Sequence, residues 1–245
     1  MQGDYLRRGT AEFIGAFALT FFGVGAIMVG SAGLLGVALA HGLAIALMVT
    51  AFGHISGGHF NPAITLGFVV TRRIDLRLAA VYWFNQFAGA CIAALLLWWI
   101  FPADAVGPSR LGAPTLHPAI GNEAGLVLEA IMTGFLVIAV FATAVDERGA
   151  FKAVAGFGIG LVITLDVLAG GPLTCAAMNP SRAFGPEVVY RVWESYTWIY
   201  YVGPAAGAVV AALLYELLFL RNPPVPVGPD ETGLREPRPG DLAAS

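Results

Sequence analysis

Two triplets carry the first chemical signal in this chain, Asn61-Pro62-Ala63 and Asn179-Pro180-Ser181. Asn is a preferred helix N-cap, because its side-chain oxygen accepts a backbone N–H, and Pro is favoured at the first helical position. Each triplet is therefore a competent helix start, and taken singly it is no more than that. Upstream of each, a carboxylate lies inside an apolar run: Glu12 in Ala-Glu-Phe-Ile-Gly and Glu129 in Leu-Glu-Ala-Ile-Met. Glu12 precedes Asn61 by 49 positions and Glu129 precedes Asn179 by 50, so the chain repeats itself and the triplets occupy equivalent places. The stretches before the caps, Ser56-Gly57-Gly58-His59-Phe60 and Thr174-Cys175-Ala176-Ala177-Met178, read as extended backbone with free carbonyls. Glycine allows this, since it tolerates unusual dihedrals and close approach.

The elements that must position these groups are membrane helices. Of 245 residues, 58% are hydrophobic and 12% charged, against about 25% charged in soluble domains. A bilayer-spanning helix needs roughly 20 mostly apolar residues, and six runs reach that length, at about 10–31, 35–54, 78–100, 123–144, 151–171 and 196–220. Two shorter apolar segments, about 61–71 and 179–190, begin at the Asn-Pro triplets and predict half-length helices. The first run is too long for the apolar core of a signal peptide and lacks a clear cleavage site, so it is expected to be retained. Three spans per half is an odd number, so the second copy enters the membrane from the opposite side. The predicted fold is an all-α membrane protein of six transmembrane helices and two re-entrant half-helices in an inverted repeat.

Charge sets the orientation. With the N-terminus inside, the inner loops collect Arg7, Arg8, Arg72, Arg73, Arg77, Arg148, Lys152 and Arg221, while the outer side has Arg110, Arg182 and Arg191. That bias predicts both termini in the cytoplasm, in a plasma or inner cell membrane. Residues 1–9 form a short N-terminal segment, and 10–220 the membrane domain, with one repeat at about 10–100 and the other at about 123–220. The tail, 221–245, is rich in Pro, Gly and charge and is expected to be disordered. A single lysine and no basic cluster exclude nucleic acid as a partner. Cys91 and Cys175 offer neither a disulfide framework nor metal spacing, and no cofactor or metal is implied.

A helix that stops halfway through a bilayer leaves backbone groups unsatisfied, which is tolerated only where protein or water lines the site. The two half-helices should therefore face each other around an aqueous path. Each N-terminus carries about half a positive charge, a field that repels hydronium and other cations. The Asn61 and Asn179 amides can donate to a passing oxygen. The carbonyls of Gly57, Gly58, His59, Thr174 and Cys175 are expected to line the path.

At these residues the chain resembles the major intrinsic proteins, the aquaporin and aquaglyceroporin family. His54-Ile-Ser-Gly-Gly-His-Phe-Asn-Pro-Ala-Ile-Thr-Leu-Gly67 is similar to the family's first motif. Ala169-Gly-Gly-Pro-Leu-Thr-Cys-Ala-Ala-Met-Asn-Pro-Ser-Arg-Ala-Phe-Gly-Pro186 is similar to its second, with Ser181 where Ala is usual. The resemblance covers roughly residues 8–220. It implies a homotetramer with a pore in every subunit, passive conduction of small neutral permeants, and a narrow outer constriction at His41, Val167, Ala176 and Arg182. Typical water-selective members carry Phe, His and Cys or Thr at the first three. A His at the first with small or apolar residues at the next two resembles the plant tonoplast aquaporins, as does Leu168-Ala-Gly-Gly-Pro172.

The resemblance also implies that Glu12 and Glu129 buttress the irregular loops before the half-helices. It offers His117, in the loop after the third span, as an extension of the filter. His59 is expected to give its carbonyl to the path while its ring packs, and Cys175 to be open to thiol reagents from it. Asp166 stands where tonoplast-type members tend to carry Asn. One step along a helix turns a side chain by about 100°, so with Val167 facing the path Asp166 is expected to bond a neighbouring helix.

The implied function is a passive channel for water and small uncharged solutes, ammonia, urea, hydrogen peroxide, glycerol or arsenous acid among the candidates. Glycerol-selective members usually have Asp right after the filter Arg and a basic residue four positions later, where this chain has Ala183 and Glu187. The pair Tyr200-Tyr201 resembles the water-type arrangement. A proton-coupled carrier is the alternative, drawn from the inverted repeat, the broken helices and Asp166. An enzyme is not expected, since no Ser/His/Asp set, metal-ligand spacing or phosphate loop occurs.

Overall fold

The computed structural model describes residues 2–148 and 154–221. Nine α-helices are described: α1 (Gln2–Val29), α2 (Gly33–Ser56), α3 (Pro62–Val70), α4 (Leu76–Ile100), α5 (Ala103–Ser109), α6 (Asn122–Val140), α7 (Ala155–Thr174), α8 (Pro180–Tyr190) and α9 (Ile199–Leu214). The helices α6 and α9 continue into π-helical turns, Phe141–Val145 and Tyr215–Leu220. Six helices are long and apolar enough to cross a membrane: α1, α2, α4, α6, α7 and α9. The remaining two of note, α3 and α8, have 9 and 11 residues. At 1.5 Å per residue they extend about 14 and 17 Å, half of a ~30 Å hydrocarbon core.

Side-chain size decides which face of each helix turns inward. On α2, Leu35, Leu39, Leu43 and Leu47 recur every fourth residue and are exposed, an outward-facing apolar stripe. The opposite face presents Gly42. A Cβ there would lie 2.4 Å from the Gly160 carbonyl oxygen on α7, and one on Gly160 would lie 2.3 Å from the Gly42 oxygen. Only hydrogen fits between the two backbones. These residues are 118 positions apart, the same offset as Asn61 and Asn179, so the two-fold axis of the repeat passes between them. The offset recurs at Gly89 and Gly207, where a Cβ would meet Phe13 O at 2.4 Å and Ala130 O at 2.0 Å. Small-residue contacts of this kind are how helices associate where lipid removes the hydrophobic drive.

Six crossings return the chain to the side from which it began. There Arg73 pairs with Glu216 at 2.8 Å and the Arg148 guanidinium donates to Phe219 O at 2.7 Å. Arg148 also grips Asp146 at 2.7 Å, and that pairing holds the Asp146 carboxyl well below the usual carboxylate range. The loops therefore fasten to the end of the last span.

The boundaries differ from expectation in three places. Helix α1 starts at Gln2 rather than near Thr10, because Asp4 pairs with Arg7 at 3.0 Å and Arg8 at 2.9 Å, contacts one turn apart that carry the helix past its apolar run. Helix α9 starts at Ile199, not 196, because the preceding residues form turns closed by Glu194 N donating to Thr197 Oγ1 at 2.9 Å. The short α5, opening after Pro102, has no apolar period and was not expected. Lys152, the first residues of the fifth predicted run and the tail beyond 221 lie outside the described residues.

The close approach at the axis gives a test. Gly160→Leu should abolish recovery of folded protein in detergent, since overpacking against backbone has no side chain to move. Leu43→Ala, on the outward face of α2, should leave yield and Tm near the wild-type values.

Candidate functional site

The site is built from the two cap loops. Asn61 Oδ1 accepts from Ala63 N at 2.8 Å, and Asn179 Oδ1 from Ser181 N at 3.0 Å, Arg182 N at 3.3 Å and Ser181 Oγ at 2.8 Å. Pro62 and Pro180 take the first helical positions. Across the repeat, Asn61 Nδ2 donates to Met178 O and Asn179 Nδ2 to Phe60 O, both at 2.9 Å. The half-helices thus meet end to end, each cap clasping the other loop. One N–H of each amide is used in the clasp, and the second is free for a permeant.

The loops before the caps reverse direction through left-handed backbone. Gly57 (φ 95), Gly58 (φ 67) and Phe60 (φ 49) match Cys175 (φ 64), Ala176 (φ 44) and Met178 (φ 50), each pair 118 apart. In the first loop glycine fills two of these places, whereas the second uses Cys175 and Ala176, which L-residues adopt at a cost. Such conformations persist where surroundings over-determine them. Two carboxylates do so here. Glu12 Oε1 accepts from Ser56 Oγ at 2.6 Å and His59 N at 3.0 Å, and Oε2 from Phe60 N at 2.6 Å and Gln86 Nε2 at 2.8 Å. Glu129 Oε1 accepts from Thr174 Oγ1 at 2.7 Å and Ala177 N at 2.9 Å, and Oε2 from Met178 N at 2.7 Å. Both carboxylates are fully buried.

Between the half-helices runs a narrow cavity of about 20 Å³, on the order of one or two water molecules. It is lined by the polar residues Asn61, Asn179, His59, His41 and Arg182 together with Gly58 and Ala176, Ala177 and Met178, and Leu19, Ile45, Ile64, Leu136, Ile159 and Ile163 form the apolar wall. Arg182 is 1% exposed. Its Nη1 donates to Gly112 O at 3.0 Å, its Nε faces His41 Nε2 at 3.5 Å, and its Nη2 has no partner. His41 Nδ1 lies 2.9 Å from Val37 O. A carbonyl only accepts, so Nδ1 carries the proton and Nε2 presents a lone pair. The same logic applies to His59. Thr65 Oγ1 donates to Asn61 O at 3.2 Å and accepts from Gln86 Nε2 at 3.0 Å, so His59 Nδ1, at 3.0 Å, is the donor to it. The His59 ring also packs 4.2 Å from that of Phe68.

Not every expected residue is drawn into this cavity. Ala176 lines it, while Val167 is buried beside Gly171 and the α7 wall is Ile159 and Ile163. From the second loop the cavity is lined by Ala176, Ala177 and Met178, and Thr174 and Cys175 are not among its lining residues. The left-handed turn at Cys175 swings Sγ outward, where it takes Thr115 N at 3.3 Å and lies 3.4 Å from Thr115 Oγ1. It shares a separate outer hollow of about 630 Å³ with His117, Arg110 and Tyr196. His117 is exposed there, its Nδ1 accepting from Ala119 N at 3.1 Å, and it makes no bond to Arg182 or His41. Asp166 lacks the expected interhelical bond: its Oδ2 is buried without a partner. Like Val167, it is buried on α7 but is not among the residues lining the cavity.

Sequence reasoning missed Gln86, Thr65, Tyr82 and Gly112. Tyr82 OH donates to Ser56 O, and Trp83 Nε1 to Pro62 O at 3.1 Å. Tyr82 has a counterpart 118 residues on, Tyr200, a repeat signal that could have marked it. Nothing in the sequence marks Gly112, which acts through a loop carbonyl.

Comparison with known proteins places these features in a family. Residues 2–215 match the model of the major intrinsic proteins, described as "Major intrinsic protein". Aquaporin TIP4-4 of Zea mays is 42% identical over 228 residues, 88% of this chain and 87% of that protein. The lens fiber major intrinsic protein of Gallus gallus is 41% identical over 219 residues, 88% and 82%. Among solved structures, the aquaglyceroporin from Plasmodium falciparum superposes with a TM-score of 0.78 at 27% identity, covering 87% of this chain and 96% of that one.

The carboxylate network predicts an asymmetric pair of variants. Glu129→Ala orphans the Ala177 and Met178 amides, each costing about 1–3 kcal/mol when buried, and should lower Tm in detergent sharply. Glu129→Gln, which keeps one acceptor oxygen, should lose clearly less. Equal losses in the two would show that the carboxylate is not what holds the loop.

Proposed function

The chain belongs to the major intrinsic protein family and is a passive channel for water and small neutral solutes, not an enzyme; from that premise we propose how it selects what passes. The observation that carries the reading is the reciprocal clasp of Asn61 and Asn179 at the middle of a cavity one water wide. Two helix N-termini aim their partial positive charges at one point. A water there accepts hydrogen bonds from the free amide N–H groups, so its own hydrogens turn outward along the path. Held so, it donates in both directions and cannot relay a proton. Cations meet the same field and find few carbonyls to replace their hydration shell.

Selectivity among neutral molecules is assigned to His41, Val167, Ala176 and Arg182, with Val167 one turn beyond the cavity-lining Ile163 on α7. Arg182 contributes a fixed charge and an unpartnered N–H, His41 an acceptor lone pair, and the other two only apolar surface. A permeant that both donates and accepts regains there what it loses in hydration. With an imidazole in place of the larger phenyl ring at the His41 position, ammonia, urea, hydrogen peroxide and arsenous acid are the candidate solutes; glycerol is disfavoured by Ala183 and Glu187. Exposed leucines and aromatics around the perimeter support a surface covered by lipid and by further copies of the chain, as in a homotetramer. The arginines gathered at the end shared by residues 2 and 221 support cytoplasmic termini.

Stopped-flow light scattering on proteoliposomes tests the assignment. The wild type should pass water together with at least one of urea and ammonia. His41→Phe should keep water flux within about twofold while cutting solute flux by roughly tenfold, the size of a barrier change near 1.4 kcal/mol. Unchanged solute flux in His41→Phe would remove His41 from the filter.

A further inference from the structure

The loop after α5 turns left-handed for three residues in a row, at Arg110 (φ 51), Leu111 (φ 55) and Gly112 (φ 69). L-residues visit that region singly and at a cost, so such a turn persists where its surroundings fix it. Three contacts do so. Leu111 is fully buried with Val24, Ala94 and Leu97, and Val189 and Tyr190 of α8 pack against that cluster. Gly112 lies so close to α1 that a Cβ would meet Val24 Cγ1 at 2.6 Å. On the open side of the turn the Arg110 guanidinium pairs with Glu194 at 2.5 Å.

What the turn delivers to the filter is one carbonyl. Gly112 O accepts from Arg182 Nη1 at 3.0 Å, whereas His41 Nε2 lies 3.5 Å from Arg182 Nε, at the outer limit of a hydrogen bond, and Nη2 has no partner. The direction of the buried guanidinium therefore rests on a loop oxygen. Glu194 stands just beyond the half-helix that carries Arg182. After Tyr190 ends α8, Arg191 (φ 59) turns the chain and Val192 N closes on Glu187 O at 3.0 Å. Glu194 is then fixed by its N donating to Thr197 Oγ1 at 2.9 Å and its O accepting from Thr197 N at 3.0 Å. A ring closes, from Arg182 along α8 to Glu194, across to Arg110, and through Gly112 back to Arg182.

We propose that Arg110 and Glu194 are positioning residues for the filter: their ion pair holds the left-handed turn against the segment that follows α8, so that Gly112 O stays on the Arg182 guanidinium and the constriction keeps its width. The pair is partly exposed, and pairs of that kind add little to global stability. Its effect is local, because it joins the loop that bears the acceptor to the helix that bears the donor. Without it the strained turn relaxes and the Gly112 carbonyl swings away. Arg182, then without its one short hydrogen bond, turns toward the water of the outer mouth, since a buried charge without partners is costly. The constriction loses its donor edge and widens, and a solute larger than water gains more from that than water does.

The test uses the full chain in proteoliposomes and rests on the channel reading above. Arg110→Gln and Glu194→Gln should each raise the ratio of urea flux to water flux several-fold. The exchanged pair, Arg110→Glu with Glu194→Arg, should return the ratio toward the wild-type value, which a general loosening of the loops would not do. In crystals of Glu194→Gln, Gly112 O should lie beyond hydrogen-bond reach of Arg182 Nη1. A ratio that does not rise in the single variants, an exchanged pair that behaves as they do, or a Gly112–Arg182 bond intact in Glu194→Gln overturns the proposal. Vesicles tight to water in the wild type would count against the channel reading instead, and the crystals would still decide whether the pair holds the turn.

Discussion

A backbone amide buried in a bilayer must find an acceptor inside the protein, and the whole outer and inner architecture of this chain answers that constraint. Straight helices answer it internally. The cap loops cannot, because a half-helix begins in the middle of the membrane and the segment leading to it is extended. Glu12 and Glu129 supply the acceptors, each bonding consecutive loop amides from a neighbouring helix. With the N–H groups turned back toward a carboxylate, the carbonyls are left to face the path. The donor–acceptor polarity of the pore wall is thus set by two residues that do not touch a permeant.

The same constraint explains why the half-helices meet. Each cap spends one amide N–H on the carbonyl that precedes the opposite cap, so neither loop is complete alone. The Gly42–Gly160 contact brings the halves close enough for that exchange. Opposite the polar strip the wall is aliphatic, so a water in transit exchanges hydrogen bonds along one side only and is not held. Speed and exclusion arise from one arrangement: few partners for a neutral molecule, and a positive field for a cation.

Much of this was legible in the sequence because its causes are local or periodic. The Asn-Pro triplets obey capping rules, the six spans are set by length and apolarity, and the repeat shows in the spacing from Glu12 and Glu129. What was not legible depends on rotation and on loops. Cys175 turns away from the cavity because its backbone is left-handed, a conformation that a non-glycine residue does not announce. Gln86 and Thr65 look like ordinary polar residues until folding brings them to Glu12 and His59. Gly112 enters through a carbonyl, for which no side-chain pattern exists. Asp166 was expected to bond a neighbouring helix, yet its Oδ2 is buried without a partner, which no spacing in the sequence announces.

Proton exclusion by the paired caps is measured most directly by recording osmotic water flow and proton flux on the same proteoliposomes, with an entrapped pH dye. The structure predicts water flow with a weak temperature dependence and a proton flux equal to that of protein-free vesicles. A proton flux that rises in step with water flow would contradict it.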